Sequence, residues 1–214
     1  MLPVVSIVGK SGAGKTTLIE RLIAEFKKRG YRIAVVKHSR QKIDMDEQGK
    51  DSWKFAQAGS DAVVVSSPDK LVFTKNVDGD PSIEEILRII GNDFDLALIE
   101  GFRKGKAPKI EVHRKELGDD LLCSPEELSA IVTDGSLNAD VPQLSNDTQA
   151  IADFIEKNFL FHEEEDTLLF VNGKSVVINP FVKEIIARIA LAVISTLKGI
   201  GEIWNFDISV RKNR

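Results

Sequence analysis

Short apolar runs alternate with amphipathic segments along most of the chain. The run from Val4 to Gly9 is rich in β-branched residues and ends at a glycine, which predicts a buried strand. The following segment repeats apolar residues at helical spacing as far as Phe26, and Gly30 follows as a helix-ending residue. The same pattern predicts further strands at 32–38, 62–67, 71–76, 95–101, 109–114 and 128–135. It predicts further helices at 49–60, 81–91 and 147–159.

The alternation of strands and helices predicts an α/β domain over residues 1–160. Strands connected through helices pair in parallel, and the helices then cover both faces of the sheet. The exception is the strand pair around Pro68-Asp69, where a turn dipeptide separates two apolar runs. The expected fold is therefore a mainly parallel sheet with helices on both faces.

The pattern changes after residue 160, and we read residues 161–214 as a small β-β-α-β extension. Four acidic residues from Glu163 to Asp166 suit a linker or an edge cap, and Asn172-Gly173 predicts a hairpin turn. Asn179-Pro180 is a good start for a helix reaching about Lys198, and 202–210 alternates as a last strand. The helix is apolar over a broad face, so we expect the extension to contribute to a dimer.

Composition narrows the classes of function. The chain is 43% hydrophobic and 29% charged with a formal net charge of −4, which argues against a nucleic-acid binder. Its one cysteine, Cys123, cannot form an internal disulfide. The start of the chain lacks the features of a secretory signal, and the longest apolar run, 185–197, is too short to span a bilayer. These features predict a soluble cytoplasmic protein without membrane partners.

The chemistry begins with GKSGAGKT, which spans Gly9 to Thr16 between the first strand and the first helix. It matches the phosphate-binding pattern G-x-x-x-x-G-K-[ST] in the structural context that this pattern requires. The expected α/β fold is therefore the mainly parallel sheet of a P-loop NTPase. Backbone N–H groups and the helix N-terminus would hold the phosphates. Lys15 would reach the β- and γ-phosphates, and the Thr16 hydroxyl would bind Mg²⁺. The expected nucleotide-binding residues are Ser11, Gly12, Ala13, Gly14, Lys15, Thr16 and Thr17.

Two further acidic residues are candidates for the same site. Glu100 ends an apolar strand, so we expect it to hold the metal together with Thr16, whereas Asp95 at the other end of that strand suits a turn. Thr133-Asp134 ends another strand, and an aspartate there can accept hydrogen bonds from N1–H and N2–H₂ of guanine. An ordinary Asp-Gly turn is the alternative for Asp134.

Several short motifs accompany the phosphate loop: Lys37-His38, Asp44 and Asp46, Gly49 to Ser52, Ala58-Gly59, Glu100 to Phe102, and Lys109-Ile110. With the loop, they resemble the molybdopterin-guanine dinucleotide biosynthesis adaptor family, MobB, over residues 3 to about 160. The chain departs from the family at Ser39, Arg40 and Gln41, where the family often has further histidines.

The resemblance implies a dimeric GTP-binding adaptor with slow GTPase activity. It also implies two partners: molybdopterin or its molybdenum form, and a molybdenum cofactor guanylyltransferase of the MobA type that the adaptor assists. Such a pterin is anionic and would suit basic residues near the strand ends, although these residues suit a solvated surface equally well. The expected substrate-binding residues are Lys37, His38, Lys50, Phe102 and Arg103, with Lys104 and Lys106 beside them.

Carboxylates after the second strand are the remaining catalytic candidates. Asp44, Asp46 and Asp51 occupy a stretch where P-loop proteins place metal or substrate carboxylates, and Asp51 could equally cap a helix. With Lys15, we take Asp46 and Asp51 as the catalytic candidates. The competing functions are a small-molecule kinase and a nucleotide switch without a turnover role. The single arginine in the candidate lid, Arg103 to Pro108, disfavours the kinase.

Overall fold

The computed structural model describes residues 2–39, 41, 43, 46–91, 93–160, 167–199, 201, 206 and 208–210. The chain divides into two compact units. The first combines Met1–Lys37 with Ile83–Arg214, and the second is His38–Ser82. The expected domain boundary at residue 161 stays a prediction.

The described part of the chain contains ten strands and five α-helices. The strands are β1 (Val4–Val8), β2 (Ile33–Lys37), β3 (Ala62–Ser66), β4 (Leu71–Lys75), β5 (Leu96–Glu100), β6 (Lys109–Val112), β7 (Leu128–Val132), β8 (Gln143–Leu144), β9 (Leu169–Val171) and β10 (Lys174–Val176). The helices are α1 (Lys15–Lys28), α2 (Asp51–Gln57), α3 (Ile83–Ile90), α4 (Thr148–Ile155) and α5 (Pro180–Ser195). Short 3₁₀ turns lie at Lys115–Leu117 and Pro125–Glu127, and a π-helical turn at Glu156–Leu160 follows α4.

A six-stranded parallel sheet in the order β2-β5-β1-β6-β7-β8 forms the centre of the first unit. This confirms the predicted α/β fold class. Because the strands are parallel, their carboxyl ends share one edge, and ligands of open α/β sheets bind at that edge. Strand β1 lies between β5 and β6, so the segment that follows β1 starts at the middle of this edge.

Apolar side chains cover both faces of the sheet. On one face, Val5 and Ile7 pack against the buried face of α1, which includes Leu18, Leu22 and Phe26, and α4 completes this core. On the other face, α3 packs through Ile83 and Leu87 onto β2 and β5. A smaller cluster around Cys123 and Val141 covers the β7 side of that second face. The sheet therefore has the helices on both faces that the alternation predicts.

The second unit is a helix followed by an antiparallel hairpin. Helix α2 precedes β3 and β4, which pair from Ala62 with Lys75 to Ser66 with Leu71. The predicted turn is present, because the Ser67 N–H donates to the Lys70 carbonyl at 2.8 Å. Both strands carry apolar side chains that are about half exposed, among them Val64 and Leu71.

The C-terminal segment forms a second antiparallel hairpin and helix α5. Strands β9 and β10 meet at Asn172-Gly173, where both residues have positive φ, as the turn dipeptide predicts. Asn179 caps α5 by accepting from the Val182 N–H at 2.9 Å. The acidic segment 163–166 and most of the predicted last strand, 202–210, lie outside the described residues. No helix in the described part of the chain is long and apolar enough to cross a membrane.

Candidate functional site

The loop between β1 and α1 has the backbone geometry of a phosphate cradle. Gly9, Gly12 and Gly14 all have positive φ, and Gly14 is the N-terminal cap of α1. Gly9 is required for a second reason, since a Cβ there would lie 2.4 Å from the Val112 carbonyl oxygen of β6. The N–H groups of the first turn of α1 have no intrahelical acceptor, so they and the helix dipole favour an anion at this point.

The side chain of Lys15, the first residue of α1, folds back onto this loop. Its Nζ donates to the carbonyl oxygens of Gly9 at 3.0 Å and of Lys10 at 2.9 Å. The loop therefore holds the ammonium group beside the N–H groups that face an anion. Positive charge and N–H donors in one loop are what a polyphosphate chain requires.

Thr16 and Glu100 come together next to the loop. Glu100 ends β5, the strand beside β1, and Thr16 Oγ1 lies 3.2 Å from each of its carboxylate oxygens. Lys37 is the register partner of Glu100 on β2, and its Nζ lies 3.5 Å from Glu100 Oε2. A hydroxyl and a carboxylate are oxygen ligands of the kind Mg²⁺ prefers, so this pair fits a metal that would also bind phosphate and water.

Asp134 follows β7 at the same edge of the sheet. Its Oδ1 accepts from the Lys115 backbone N–H at 3.1 Å, and that hydrogen bond, aided by the charge of Arg114, lowers the pKa of the Asp134 carboxyl. Asp134 is therefore anionic at neutral pH and available to hydrogen-bond donors. The carboxylate also holds the start of the turn Lys115–Leu117, so this contact fits the alternative of a plain turn as well.

Thr133 has a supporting role in this geometry. Its side chain is buried, and its Oγ1 accepts from the Gly135 N–H at 3.1 Å and lies 3.2 Å from Nδ1 of the buried His113. His113 Nε2 lies 2.9 Å from the Gly118 carbonyl, to which it donates. Thr133 thus fixes the turn that carries Asp134, and His113 is a structural residue.

The segment after β5 carries the predicted substrate residues Phe102 and Arg103. Phe102 has a φ of 55° and packs against the core under α3, while Gly105 donates its N–H to the Phe102 carbonyl at 3.0 Å. The tight turn leaves Arg103, Lys104 and Lys106 exposed. Phe102 therefore anchors the turn, and the basic residues are accessible to an anion.

The remaining candidates belong to the second unit. His38 Nε2 lies 2.9 and 3.0 Å from the two carboxylate oxygens of Asp80. Lys50 forms an ion pair with Glu47, which raises the pKa of the Lys50 ammonium through their hydrogen bond. Asp44 lies outside the described residues.

The two catalytic candidates of the second unit, Asp46 and Asp51, have local partners. Asp46 accepts from the Ser52 hydroxyl at 3.0 Å, which fixes it at the start of α2. Asp51 is the first residue of α2 rather than its cap, which is Lys50, and it pairs with Lys54 at 3.0 Å.

Sequence reasoning did not select Arg114. This residue follows β6, and its Nη2 lies 3.7 Å from the position that a Cβ would take on Gly14. The sequence run KIEVHR reads as a strand, and no motif marks its last residue. The parallel pairing of β6 with β1 is what brings Arg114 to the phosphate loop.

Comparison with known proteins places this geometry in context. Residues 4–134 match the family model described as molybdopterin guanine dinucleotide synthesis protein B. The chain is 37% identical over 163 residues to the molybdopterin-guanine dinucleotide biosynthesis adapter protein of Haemophilus influenzae, covering 75% of this chain and 91% of that protein. It is 34% identical to the adapter protein of the same description from Escherichia coli, covering 72% of this chain and 92% of that protein.

A further relative and two solved structures extend the comparison. A putative adapter protein of Methanocaldococcus jannaschii is 27% identical over 225 residues, covering 92% of each chain. Among solved structures, Bacillus subtilis MobB superposes with a TM-score of 0.61 at 25% identity, covering 75% of this chain and 99% of that chain. A crystal structure of molybdopterin-guanine biosynthesis protein B superposes with a TM-score of 0.54 at 34% identity, covering 72% of this chain and 97% of that chain.

Proposed function

The chain belongs to the molybdopterin guanine dinucleotide synthesis protein B family, and from this premise we propose that it binds GTP with Mg²⁺ and hydrolyses GTP slowly. Its role is that of an adapter in molybdopterin-guanine dinucleotide biosynthesis. In this proposal its partners are molybdopterin or its molybdenum form, a guanylyltransferase of the MobA type, and a second copy of the chain. We propose that it works in the cytoplasm.

The observation that carries the proposal is the meeting of Thr16 and Glu100 beside the phosphate loop. Thr16 is the last residue of the loop motif, and Glu100 is distant in sequence, yet Oγ1 lies 3.2 Å from both carboxylate oxygens. A glycine-rich turn with no nucleotide role would not need an oxygen ligand at this point. The contact supports a nucleotide site that includes a metal ion.

In this proposal each candidate site residue of the first unit has a chemical role. The loop N–H groups and Lys15 bind the β- and γ-phosphate oxygens and stabilise the charge that develops on them. Bound Mg²⁺ would supply further neutralisation of the phosphate charge. Thr16 and Glu100 would hold the metal, and Lys37 orients Glu100 through the 3.5 Å contact.

Asp134 reads the base in this proposal. Its carboxylate accepts from N1–H and N2–H₂ of guanine, which adenine cannot offer in the same arrangement. Its lowered pKa keeps the acceptor charged through the physiological range.

In this proposal, basic residues bind the anionic pterin. Arg103 is exposed on the turn after β5, and Lys37 is exposed at the end of β2. His38 and Lys50 of the second unit are the further candidates, and Phe102 contributes by holding the turn.

Asp46 and Asp51 are candidates for ordering the attacking water or the second substrate. Asn substitutions at each position, Asp46→Asn and Asp51→Asn, keep the size of the side chain and remove its charge. Single-turnover release of phosphate from GTP would fall at least about tenfold for the residue that acts in catalysis. Equal rates in both variants and the wild type would remove both residues from the proposed site.

The experiment that tests the whole proposal is competitive binding. A fluorescent GTP analogue is bound to the full chain with Mg²⁺, and unlabelled GTP, ATP and molybdopterin are titrated against it. We expect GTP to compete much more strongly than ATP, and Lys15→Ala to abolish binding. A strong preference for ATP would overturn the assignment of Asp134.

Phosphate release distinguishes the adapter from a kinase. Release from GTP is measured alone and then with small hydroxyl compounds and with molybdopterin. Slow release that yields inorganic phosphate supports the proposal, whereas rapid phosphorylation of an added acceptor would replace it with a small-molecule kinase.

A further inference from the structure

Arg114 lies against the phosphate loop, just after the end of β6. Its Nη2 is 3.7 Å from the position of a Cβ on Gly14, the residue that caps α1. The side chain is half-buried, and its Nη1 donates a long hydrogen bond to the His113 carbonyl at 3.4 Å. Among the described residues no acceptor takes the N–H groups of Nη2, so these donors are open to a ligand of the loop.

The charge of Arg114 has no partner at ion-pair distance among the described residues. It reaches Asp134 only over a longer distance, where it helps to lower the pKa of that carboxyl. A guanidinium that is partly removed from water is stabilised when an anion binds beside it. The position of Arg114 therefore favours an anionic group on the β6 side of the loop.

The order of the strands indicates which anionic group of a nucleotide lies there. Along the edge that binds ligands, the order β5-β1-β6-β7 places Glu100, the phosphate loop, Arg114 and Asp134 in succession. In the proposed function, the β- and γ-phosphates lie with the metal near Thr16 and Glu100, and the base lies at Asp134. From its γ-phosphate to its base, the nucleotide therefore runs across the end of β6. The group that follows the β-phosphate in this direction is the α-phosphate.

The backbone that carries Arg114 is held on two sides. On the loop side, Lys10 Nζ donates to the Leu117 carbonyl at 2.9 Å. On the β7 side, Asp134 Oδ1 accepts from the Lys115 N–H at 3.1 Å. These contacts fix the turn after β6 relative to both the phosphate loop and β7, which lowers the entropy cost of contacting a ligand.

We propose that Arg114 is a nucleotide-binding residue that donates hydrogen bonds to the α-phosphate. The inference rests on the proposed function. A guanidinium suits this role because it is always charged and donates to phosphate oxygens in a fixed plane. The α-phosphate is present in GTP and in the product GDP, and it is not transferred in hydrolysis. Arg114 therefore stabilises substrate, transition state and product equally, so it raises affinity and leaves the rate of hydrolysis of bound GTP unchanged.

The first test compares GTP with GDP in the wild type, Arg114→Ala and Arg114→Lys. Equilibrium dissociation constants are measured with Mg²⁺, and single-turnover phosphate release is measured at saturating GTP. We expect Arg114→Ala to weaken GTP and GDP by the same factor, about tenfold to a hundredfold, and to change the rate of release by less than about threefold. Arg114→Lys should recover part of the affinity, because it keeps the charge and loses the planar donors.

The second test marks the α-phosphate itself. In the two diastereomers of GTPαS, sulfur, a weaker acceptor than oxygen, replaces one or the other non-bridging oxygen of that phosphate. We expect the wild type to bind one diastereomer about three- to tenfold more weakly than GTP, and in Arg114→Ala this preference should shrink to within about twofold. A substitution that only loosened the loop would weaken all three nucleotides by the same factor and keep the preference.

The control variant is Arg32→Ala, which removes the same charge from the opposite end of the sheet, where the Arg32 side chain is 59% exposed. It should leave every constant unchanged. If Arg114→Ala weakens GTP but not GDP and slows phosphate release, Arg114 acts on the γ-phosphate and the inference is wrong. A GTPαS preference that persists in Arg114→Ala, or wild-type affinity in that variant, refutes it as well.

Failure of the proposed function gives a different result. A wild type that binds neither guanine nor adenine nucleotides refutes the nucleotide site, and the assignment of Arg114 with it. A wild type that prefers ATP removes only the assignment of Asp134, and ATP, ADP and ATPαS then replace the guanine nucleotides in both tests of Arg114. Should Arg114→Ala not fold, Arg114→Gln, which retains most of the stem without the charge, is measured in its place.

Discussion

At the scale of single residues, Gly9 is the position in the phosphate loop where a side chain is accommodated least well. A Cβ there would lie 2.4 Å from the Val112 carbonyl, and its φ of 144° disfavours any other residue. We predict that Gly9→Ala lowers the free energy of unfolding by about 2 kcal/mol or more and weakens nucleotide binding. Thermal unfolding measures the first effect and nucleotide titration the second.

The matched control for this prediction is Gly135→Ala. Gly135 has an ordinary φ and nothing within 4 Å of an added Cβ. The Gly135→Ala substitution should therefore change the free energy of unfolding of the protein by less than about 0.5 kcal/mol. Equal unfolding temperatures for the two variants would show that β6 does not constrain the loop as the structure indicates.

Glu100 gives a second prediction, on metal dependence. The near-isosteric Glu100→Gln removes a charge that lies 3.2 Å from the Thr16 hydroxyl. Since an amide is a poorer magnesium ligand than a carboxylate, the gain in GTP affinity on adding Mg²⁺ should fall by about tenfold. Titration of GTP with Mg²⁺ and with a chelator measures this gain. Asp95→Asn, at the opposite end of β5, should leave it unchanged, and an unchanged gain in Glu100→Gln would exclude Glu100 from the metal site.

The phosphate loop and Glu100 could be located from sequence because each follows a local rule. The loop has a fixed spacing between a strand and a helix, and Glu100 ends a buried strand, where a carboxylate is costly unless a cation or a donor compensates its charge. Arg114 could not be located, because its neighbour Gly14 is distant in sequence and only strand order brings the two together. Nor does the sequence show that Thr133 is buried under the Asp134 turn.

At the scale of elements, sequence periodicity predicts most strands within one or two residues of their bounds. It missed β8, because two residues carry no periodicity. The predicted helix 147–159 is α4 followed by the π-helical turn Glu156–Leu160, a change of hydrogen-bond pattern that side-chain spacing does not reveal. Both departures depend on tertiary contacts rather than on the local pattern.

The end of α1 is joined to the π-helical turn by a polar network. Arg29 donates to Glu25 at 2.9 Å and to Glu156 at 2.6 Å, and the Tyr31 hydroxyl donates to Glu156 at 2.6 Å. The hydrogen bonds from Tyr31 and Arg29 lower the pKa of the Glu156 carboxyl. The hydrogen bond to Glu156 raises the pKa of the Tyr31 hydroxyl.

These shifts predict a pH window for the network. Because the pKa of the Glu156 carboxyl is lowered, its charged form stabilises the fold at pH values above its ordinary pKa, near 4.5. That stability is lost as the pH falls below this value. Because the pKa of the Tyr31 hydroxyl is raised, its protonated form stabilises the fold at pH values below about 10. That stability is lost as the pH rises further and the hydroxyl ionises. We predict that Glu156→Gln lowers the free energy of unfolding by about 1–2 kcal/mol at pH 7, with a smaller difference at about pH 3.5.

Urea unfolding at both pH values measures this difference. Asp153→Asn is the control, because Asp153 contacts Arg29 at 2.7 Å but its side chain is 69% exposed. Its effect should stay below about 0.5 kcal/mol. A Glu156→Gln effect of the same size at both pH values would mean that the charge of Glu156 contributes nothing to the network.

At the scale of the whole molecule, the described part of the C-terminal extension is mostly exposed to solvent. Of the sixteen residues of α5, only Ala190 is buried. Apolar side chains recur on its exposed face every four residues, at Phe181, Ile185, Ile189, Val193 and Leu197. A helix apolar on its exposed face needs a partner surface. The match to the Methanocaldococcus jannaschii relative covers 92% of this chain and so takes in most of the extension, whereas the matches to the Haemophilus influenzae and Escherichia coli proteins cover about three quarters.

The last prediction concerns the proposed homodimer. We predict that the full chain is a dimer in light scattering, and that Ile189→Lys, at the middle of the exposed α5 face, weakens its association at least about tenfold. Ser195→Lys adds the same charge at an exposed position of α5 without removing an apolar side chain, so it should leave the dimer intact. Truncation after residue 160, which removes α5 altogether, should give a monomer. A dimer that persists in both Ile189→Lys and the truncated chain would refute α5 as the interface. It would direct attention to the half-exposed apolar hairpin β3–β4, where Leu71→Lys is the next variant to measure.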